Sequence, residues 1–235
     1  MKREVIIALD FGSGDKALEF LDSFRETRPF VKIGMELFYS EGPQIVKKIK
    51  ERGHKVFLDL KLHDIPNTVG KAMKSLAALD VDIVNVHAAG TVEMMQAAVS
   101  AFADCDRKPL VIAVTQLTST DEQTMQKQLL IDYPMEQVVA KYASNTREAG
   151  LAGVVCSPLE VPEVKALCGE EFVTVTPGVR FAGEGKGDQK RVTTPEQAAE
   201  LGSDFIVMGR SITGAKDPEE AYIRAMREFG GEDNE

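Results

Sequence analysis

The sequence has only three cysteines, Cys105, Cys156 and Cys168, in 235 residues. Their odd number and irregular spacing argue against a disulfide scaffold or a zinc site. They fit structural thiols in a reducing compartment. No apolar run approaches the ~18 residues of a membrane-spanning helix. The opening "MKREVIIALDFG" sets two basic residues before an apolar stretch too short for a secretory leader. The expectation is a cytoplasmic protein with no membrane partner. Basic residues are in deficit: 28 Lys and Arg stand against 37 Asp and Glu, a formal net charge of −9. This argues against a nucleic-acid partner, which would draw a basic face, but leaves room for a local basic pocket. The three histidines, His54, His63 and His87, lack metal-ligand spacing. His54 is expected on the surface, His63 in a loop-orienting role, and His87 at a strand end. No Gly/Ser-rich or Pro-rich linker divides the chain. Residues 1–235 are therefore expected to form one domain, with 230–235 as a disordered acidic tail.

What is present is alternation. Short β-branched runs at 4–10, 30–34, 55–61, 82–87, 110–116, 152–157, 172–177 and 205–209 read as strands. Amphipathic stretches at 15–27, 41–52, 67–79, 91–104, 135–149, 158–168, 194–201 and 217–229 read as helices. Such alternation implies βαβ units and a parallel sheet. Eight units in ~250 residues is the size of a TIM (β/α)8 barrel, an α/β fold, with an open doubly wound sheet as the competing architecture. Two long loops stand out, at 117–134 and 178–193. The second is rich in glycine and charge, as lids often are. Its "GEGKGD" does not have the spacing of a phosphate-binding P-loop.

The stretch "FLDLKLHDIPNTV" (57–69) sets charges into a hydrophobic strand. Strict alternation would put Phe57, Asp59 and Lys61 on one face and Leu58, Leu60 and Leu62 on the other. In a barrel the leucines would pack on helices, and the charges would reach the C-terminal mouth, where active sites of this architecture sit. The same logic brings Asp10, Lys32, Asp64, His87, Thr118, Arg180 and Arg210 to that mouth. One Asp-x-Lys alone reads equally well as an ion pair at a barrel rim. The convergence of Lys32, Asp10 and Asp64 favours an alternating array that holds a lysine ready as an acid.

A second constellation follows strands seven and eight, a common phosphate site in these barrels. There "TPGVR" and "MGRSI" supply Gly209, Arg180 and Arg210. Glycine permits close backbone approach, and arginine gives charge-assisted hydrogen bonds.

The order "ALD", "VKIG", "DLKLHDIPNT", "QLTS", "TPGVR…GDQKR", "MGRSI" resembles the orotidine 5′-phosphate decarboxylase family along essentially the whole chain. The resemblance implies conversion of orotidine 5′-monophosphate to uridine 5′-monophosphate and carbon dioxide in pyrimidine biosynthesis, with no metal and no organic cofactor. It implies a homodimer with shared active sites. Lys32, Asp59 and Lys61 would act in one subunit, with Asp64 reaching in from the other. Ile65 and Thr68 would help line the neighbour's site. Asp10 and Lys32 would hold the ribose hydroxyls, and Thr118 and Pro177 would line the substrate pocket. Arg180, Gln189, Gly209 and Arg210 would bind phosphate, with Gln189 on the lid. The nearest rival is a magnesium-dependent sugar-phosphate decarboxylase of the same superfamily, which would favour a carboxylate where this chain has Lys32. A non-catalytic nucleotide-phosphate binding protein is the rival of another class. It would have no need of Lys61.

Overall fold

The structure, a computed structural model, describes residues 3–184 and 193–230. The apolar runs form eight parallel strands: β1 (Glu4–Ala8), β2 (Phe30–Gly34), β3 (Val56–Leu62), β4 (Ile83–His87), β5 (Leu110–Val114), β6 (Gly153–Val155), β7 (Val173–Pro177) and β8 (Phe205–Met208). They pair in chain order. β1 then closes on β8, with Ile6 beside Val207 and Ile7 beside Met208. The result is a TIM barrel; the open sheet is excluded by that closing pair.

Period-two alternation sorts the side chains into two cores. Ile6, Phe30, Phe57, Ile83, Val175 and Phe205 fill the barrel. Ile7, Val31, Leu58, Val84 and Ile206 pack outward under the helices. Phe30 and Phe205, the first residues of β2 and β8, meet edge to face at 6.0 Å and close the lower barrel. Removing a fully buried side chain of the outer core, such as Leu58→Ala, would cost about 2–5 kcal/mol.

Carboxylates also occur at the lower, N-terminal ends of strands, but they are saturated. Asp82 accepts from Val56 N at 2.7 Å and from Lys50 Nζ at 2.9 Å, and it also meets Arg107. Asp204 accepts from Thr174 N at 2.8 Å and Lys165 Nζ at 2.7 Å. These charges cap strand starts and hold the fold.

The structure departs from expectation at two helices and one histidine. In place of the expected 41–52 the helix is Pro43–Glu51, and a separate unexpected helix, Met35–Glu41, precedes it; Gly42 takes φ +67° between them and Pro43 opens the second. The loop 117–134 contains a helix, Glu122–Gln128. Asp121 caps it by accepting from Thr124 N, and Met125 is its one buried residue, too little for a periodic signal. His54 is buried, not on the surface: its Nδ1 lies 3.0 Å from the Pro29 carbonyl, and burial lowers its pKa. Gly230 ends the last helix, Pro218–Gly230, and the remainder of the expected acidic tail lies outside the described residues. Among the described residues, no helix is long and apolar enough to cross a membrane.

Candidate active site

β3 supplies the centre through a break in its ladder. Its register with β4 runs Phe57–Ile83 and Leu58–Val84, then resumes at Leu62–Val86. β3 thus advances from 58 to 62 while β4 advances from 84 to 86. The surplus residues bulge, and Lys61 takes a left-handed backbone with φ 50°. Alternation predicts that Asp59 and Lys61 share a face. They do reach one cavity, but the bulge aims Lys61 there.

Four charges alternate at the mouth. Asp59 Oδ1 lies 2.6 Å from Lys61 Nζ, and Asp59 Oδ2 lies 3.4 Å from Lys32 Nζ. Lys32 Nζ also lies 3.3 Å from Asp10 Oδ1. Asp59 is 7% exposed, so burial alone would raise its pKa. The charges of Lys32 and Lys61 and the hydrogen bonds from Lys61 and Asn85 outweigh burial and hold it below the ordinary carboxylate value. The end of β2 makes space for this array. A Cβ on Gly34 would stand 3.1 Å from the Lys32 ammonium.

These residues line a cavity of about 380 Å³ over the barrel plug, with Ala8, Phe57 and Val207 belonging to both. Its far side carries Arg180, Gly209 and Arg210, together with Pro177 and Thr118. The turn after β7 needs Gly178, whose φ is +82°. Beyond it, Arg180 N donates to the Thr193 carbonyl at 3.0 Å, which ties together the two ends of the expected lid. A Cβ on Gly209 would meet protein atoms no closer than Ala8 Cβ at 3.7 Å, so protein packing does not demand glycine there. Gln189 lies outside the described residues, as does the rest of 185–192 in the expected lid.

Asp64, Ile65 and Thr68 behave differently. All three are exposed, and none lines the cavity of their own chain. Asp64 Oδ1 accepts from Ile65 N at 2.6 Å, and Ile65 is 65% exposed. His63 and His87 meet at a tilt of 41°, with ring centroids 5.6 Å apart. Burial first, then the charges of His63 and Lys61, lower the His87 pKa against the pull of Asp59. Among the described residues, no group of three or more His, Cys, Asp or Glu is placed to hold a metal ion.

Sequence reasoning missed several lining residues. Gln116 and Ser119 lie in the "QLTS" stretch without an assigned role, and Ser211 follows Arg210. It also missed Asn85. The available signal was a polar residue at an inward position of "DIVNVH".

A closed parallel barrel with a charged cavity at its C-terminal mouth defines a (β/α)8 enzyme. The chain belongs to the orotidine 5′-phosphate decarboxylase / HUMPS family, whose model matches residues 3–225. It is 54% identical over 235 residues to the orotidine 5′-phosphate decarboxylase of Bacillus cytotoxicus, covering 98% of this chain and 99% of that one. The Bacillus mycoides protein of the same name matches to the same extent. Among solved structures, the orotidine 5′-phosphate decarboxylase of Lactobacillus acidophilus superimposes with a TM-score of 0.88 at 38% identity, covering 98% of this chain and 100% of that one. An uncharacterized conserved protein from Geobacillus kaustophilus gives a TM-score of 0.86 at 48% identity, with 96% and 99% covered.

Proposed function

We propose that this chain decarboxylates orotidine 5′-monophosphate to uridine 5′-monophosphate and carbon dioxide, with Lys61 as the proton donor. The observation that carries the assignment of Lys61 is its ammonium, held 2.6 Å from a buried Asp59 at the mouth. Breaking the bond between ring carbon 6 and the carboxylate leaves an electron pair on carbon 6. The ring offers no conventional sink for it. A fixed ammonium beside carbon 6 stabilises that developing charge, then donates a proton to it, and solvent reprotonates the amine. Asp59 orients Lys61 and sits near the departing carboxylate. Asp10 and Lys32 hold the ribose hydroxyls, Thr118 touches the pyrimidine side, and Pro177 helps line the pocket. Arg180, Arg210 and Gly209 bind the phosphate, joined by Gln189 of the lid. Binding energy gained at that remote phosphate is then available at the reacting carbon.

The site is completed by a second copy in a twofold homodimer. Support comes from Asp64, Ile65 and Thr68, which stand exposed outside their own cavity. Asp64 would enter the neighbour's alternating array, with Ile65 and Thr68 lining the neighbour's pocket.

A magnesium-dependent reaction on a sugar phosphate fits the mouth less well. The Lys32 ammonium already stands between Asp10 and Asp59, at 3.3 and 3.4 Å, where a cation would otherwise bridge them. A spectrophotometric assay with orotidine 5′-monophosphate, with and without EDTA, tests the reading. Turnover unchanged by exhaustive chelation is expected. Turnover lost on chelation and restored by magnesium would favour the sugar-phosphate reading.

A further inference from the structure

Asn85 stands at the third position of β4 and is 1% exposed. Its neighbours Val84 and Val86 pack outward among the helices, while Ile83 belongs to the barrel plug. The side chain of Asn85 therefore points into the barrel, one layer above Ile83. An amide in that place must have both ends satisfied, since a buried polar group without a partner is costly.

Both ends are satisfied by β3. Asn85 Oδ1 accepts from the backbone N–H of Lys61 at 2.8 Å, and Asn85 Nδ2 donates to Asp59 Oδ1 at 2.7 Å. The partners fix the orientation of the amide. A backbone N–H can only donate and an ionised carboxylate can only accept, so a flipped amide would lose both bonds.

The bond to Lys61 falls where the β3–β4 ladder is broken, between Leu58 and Leu62. There the Asn85 side chain takes the place of a ladder carbonyl. Lys61 also holds a positive φ of 50°. A non-glycine residue kept in that region is strained and persists only where its surroundings impose it. The Asp59 oxygen that accepts from Asn85 is the one that meets Lys61 Nζ at 2.6 Å. One amide thus grips the backbone of the lysine and the carboxylate that the lysine's ammonium contacts.

We infer that Asn85 is a positioning residue for the reaction: it sets the separation and direction of the Asp59–Lys61 pair by bracing both across the barrel. The inference rests on the roles given above to Asp59 and Lys61. Asn85 does not itself line the cavity, so its influence runs through those two residues, which do.

The test compares kcat and KM for orotidine 5′-monophosphate in the unmodified enzyme, Asn85→Ala, Asn85→Asp and Lys61→Ala from pH 5 to 8. Asn85→Ala should lower kcat by about 10²-fold, the scale of a ~1 Å misplacement of a reacting group, with KM changed far less. Asn85→Asp keeps the acceptor for the Lys61 amide but sets a second carboxyl beside Asp59. Two carboxyls sharing a site raise the pKa of one. Below that pKa the shared proton restores a donor toward Asp59; above it the pair repels. The ratio of variant to unmodified kcat should therefore rise as pH falls, which a merely structural asparagine would not produce. In the unmodified protein the Lys61 amide should exchange slowly with deuterium, although the ladder is broken there. An Asn85→Ala enzyme within threefold of unmodified kcat overturns the inference. So does a pH-independent ratio for Asn85→Asp, or a fast-exchanging Lys61 amide should neither variant fold. Full turnover in Lys61→Ala would instead overturn the role of Lys61 itself. An inactive Lys61→Ala beside a fully active Asn85→Ala would overturn the bracing alone.

Discussion

Lys61 Nζ lies 2.6 Å from Asp59 Oδ1, although only one residue separates the two in sequence. Neighbours two apart in a regular strand face the same way but stand a full pleat apart. The bulge in β3 and the left-handed backbone of Lys61 accompany the contact. Asp59 is buried and the Lys61 side chain is 24% exposed, so loss of Lys61 would leave a buried carboxylate short of a partner.

That relationship sets a pH dependence. The pKa of Asp59 is lowered from 3.8, so its ionised form is favoured by folding. A group of this kind contributes stability that is fully present above its unfolded value and is lost as pH falls through the folded one. Urea denaturation of the unmodified enzyme and Asp59→Asn should show a stability gap in favour of the former that is constant well above pH 3.8. The gap should shrink only below that value. A gap that closes between pH 7 and 5 would mean that Asp59 is not held ionised by Lys32 and Lys61.

Arg180 should act on phosphate alone. Arg180→Ala is expected to weaken transition-state binding by about 2–5 kcal/mol, the usual result of truncating one partner of a buried charge pair. The measurement is kcat/KM for orotidine 5′-monophosphate beside orotidine without its phosphate. A much smaller loss is expected for the second substrate. Equal losses would remove Arg180 from the phosphate site.

Sharing of sites is tested by mixing two inactive variants, Lys61→Ala and Asp64→Ala, under subunit exchange. In a mixed dimer one site carries both defects and the other carries neither. Random pairing makes about half the dimers mixed, so activity should recover to about a quarter of the unmodified level in an isologous dimer. No recovery, with exchange confirmed by mass spectrometry, would assign Asp64 to its own subunit's site.

Much of the barrel was legible because its strands are short β-branched runs whose two faces are both buried. The mouth was legible because a charge in an apolar strand is costly to bury unless a partner or a ligand meets it, as with Lys32 after Phe30-Val31 and Asp59 after Phe57-Leu58. What was not legible depends on tertiary partners. The helix Glu122–Gln128 buries a single methionine and is announced by one capping aspartate. His54 is drawn inside by the Pro29 carbonyl, which lies 25 residues away. The bulge at Lys61 leaves no mark in a stretch that alternates almost perfectly, and the role of Asn85 appears only once β3 and β4 lie side by side.

The most direct test of the account is the turnover of Lys61→Ala on orotidine 5′-monophosphate, with folding checked by circular dichroism. Loss of the proton donor and of the charge beside carbon 6 should lower kcat by at least the ~10²–10⁴-fold that a positioned general acid contributes. Turnover above about a tenth of the unmodified rate, far outside that range, would contradict the assignment of Lys61 as the acid.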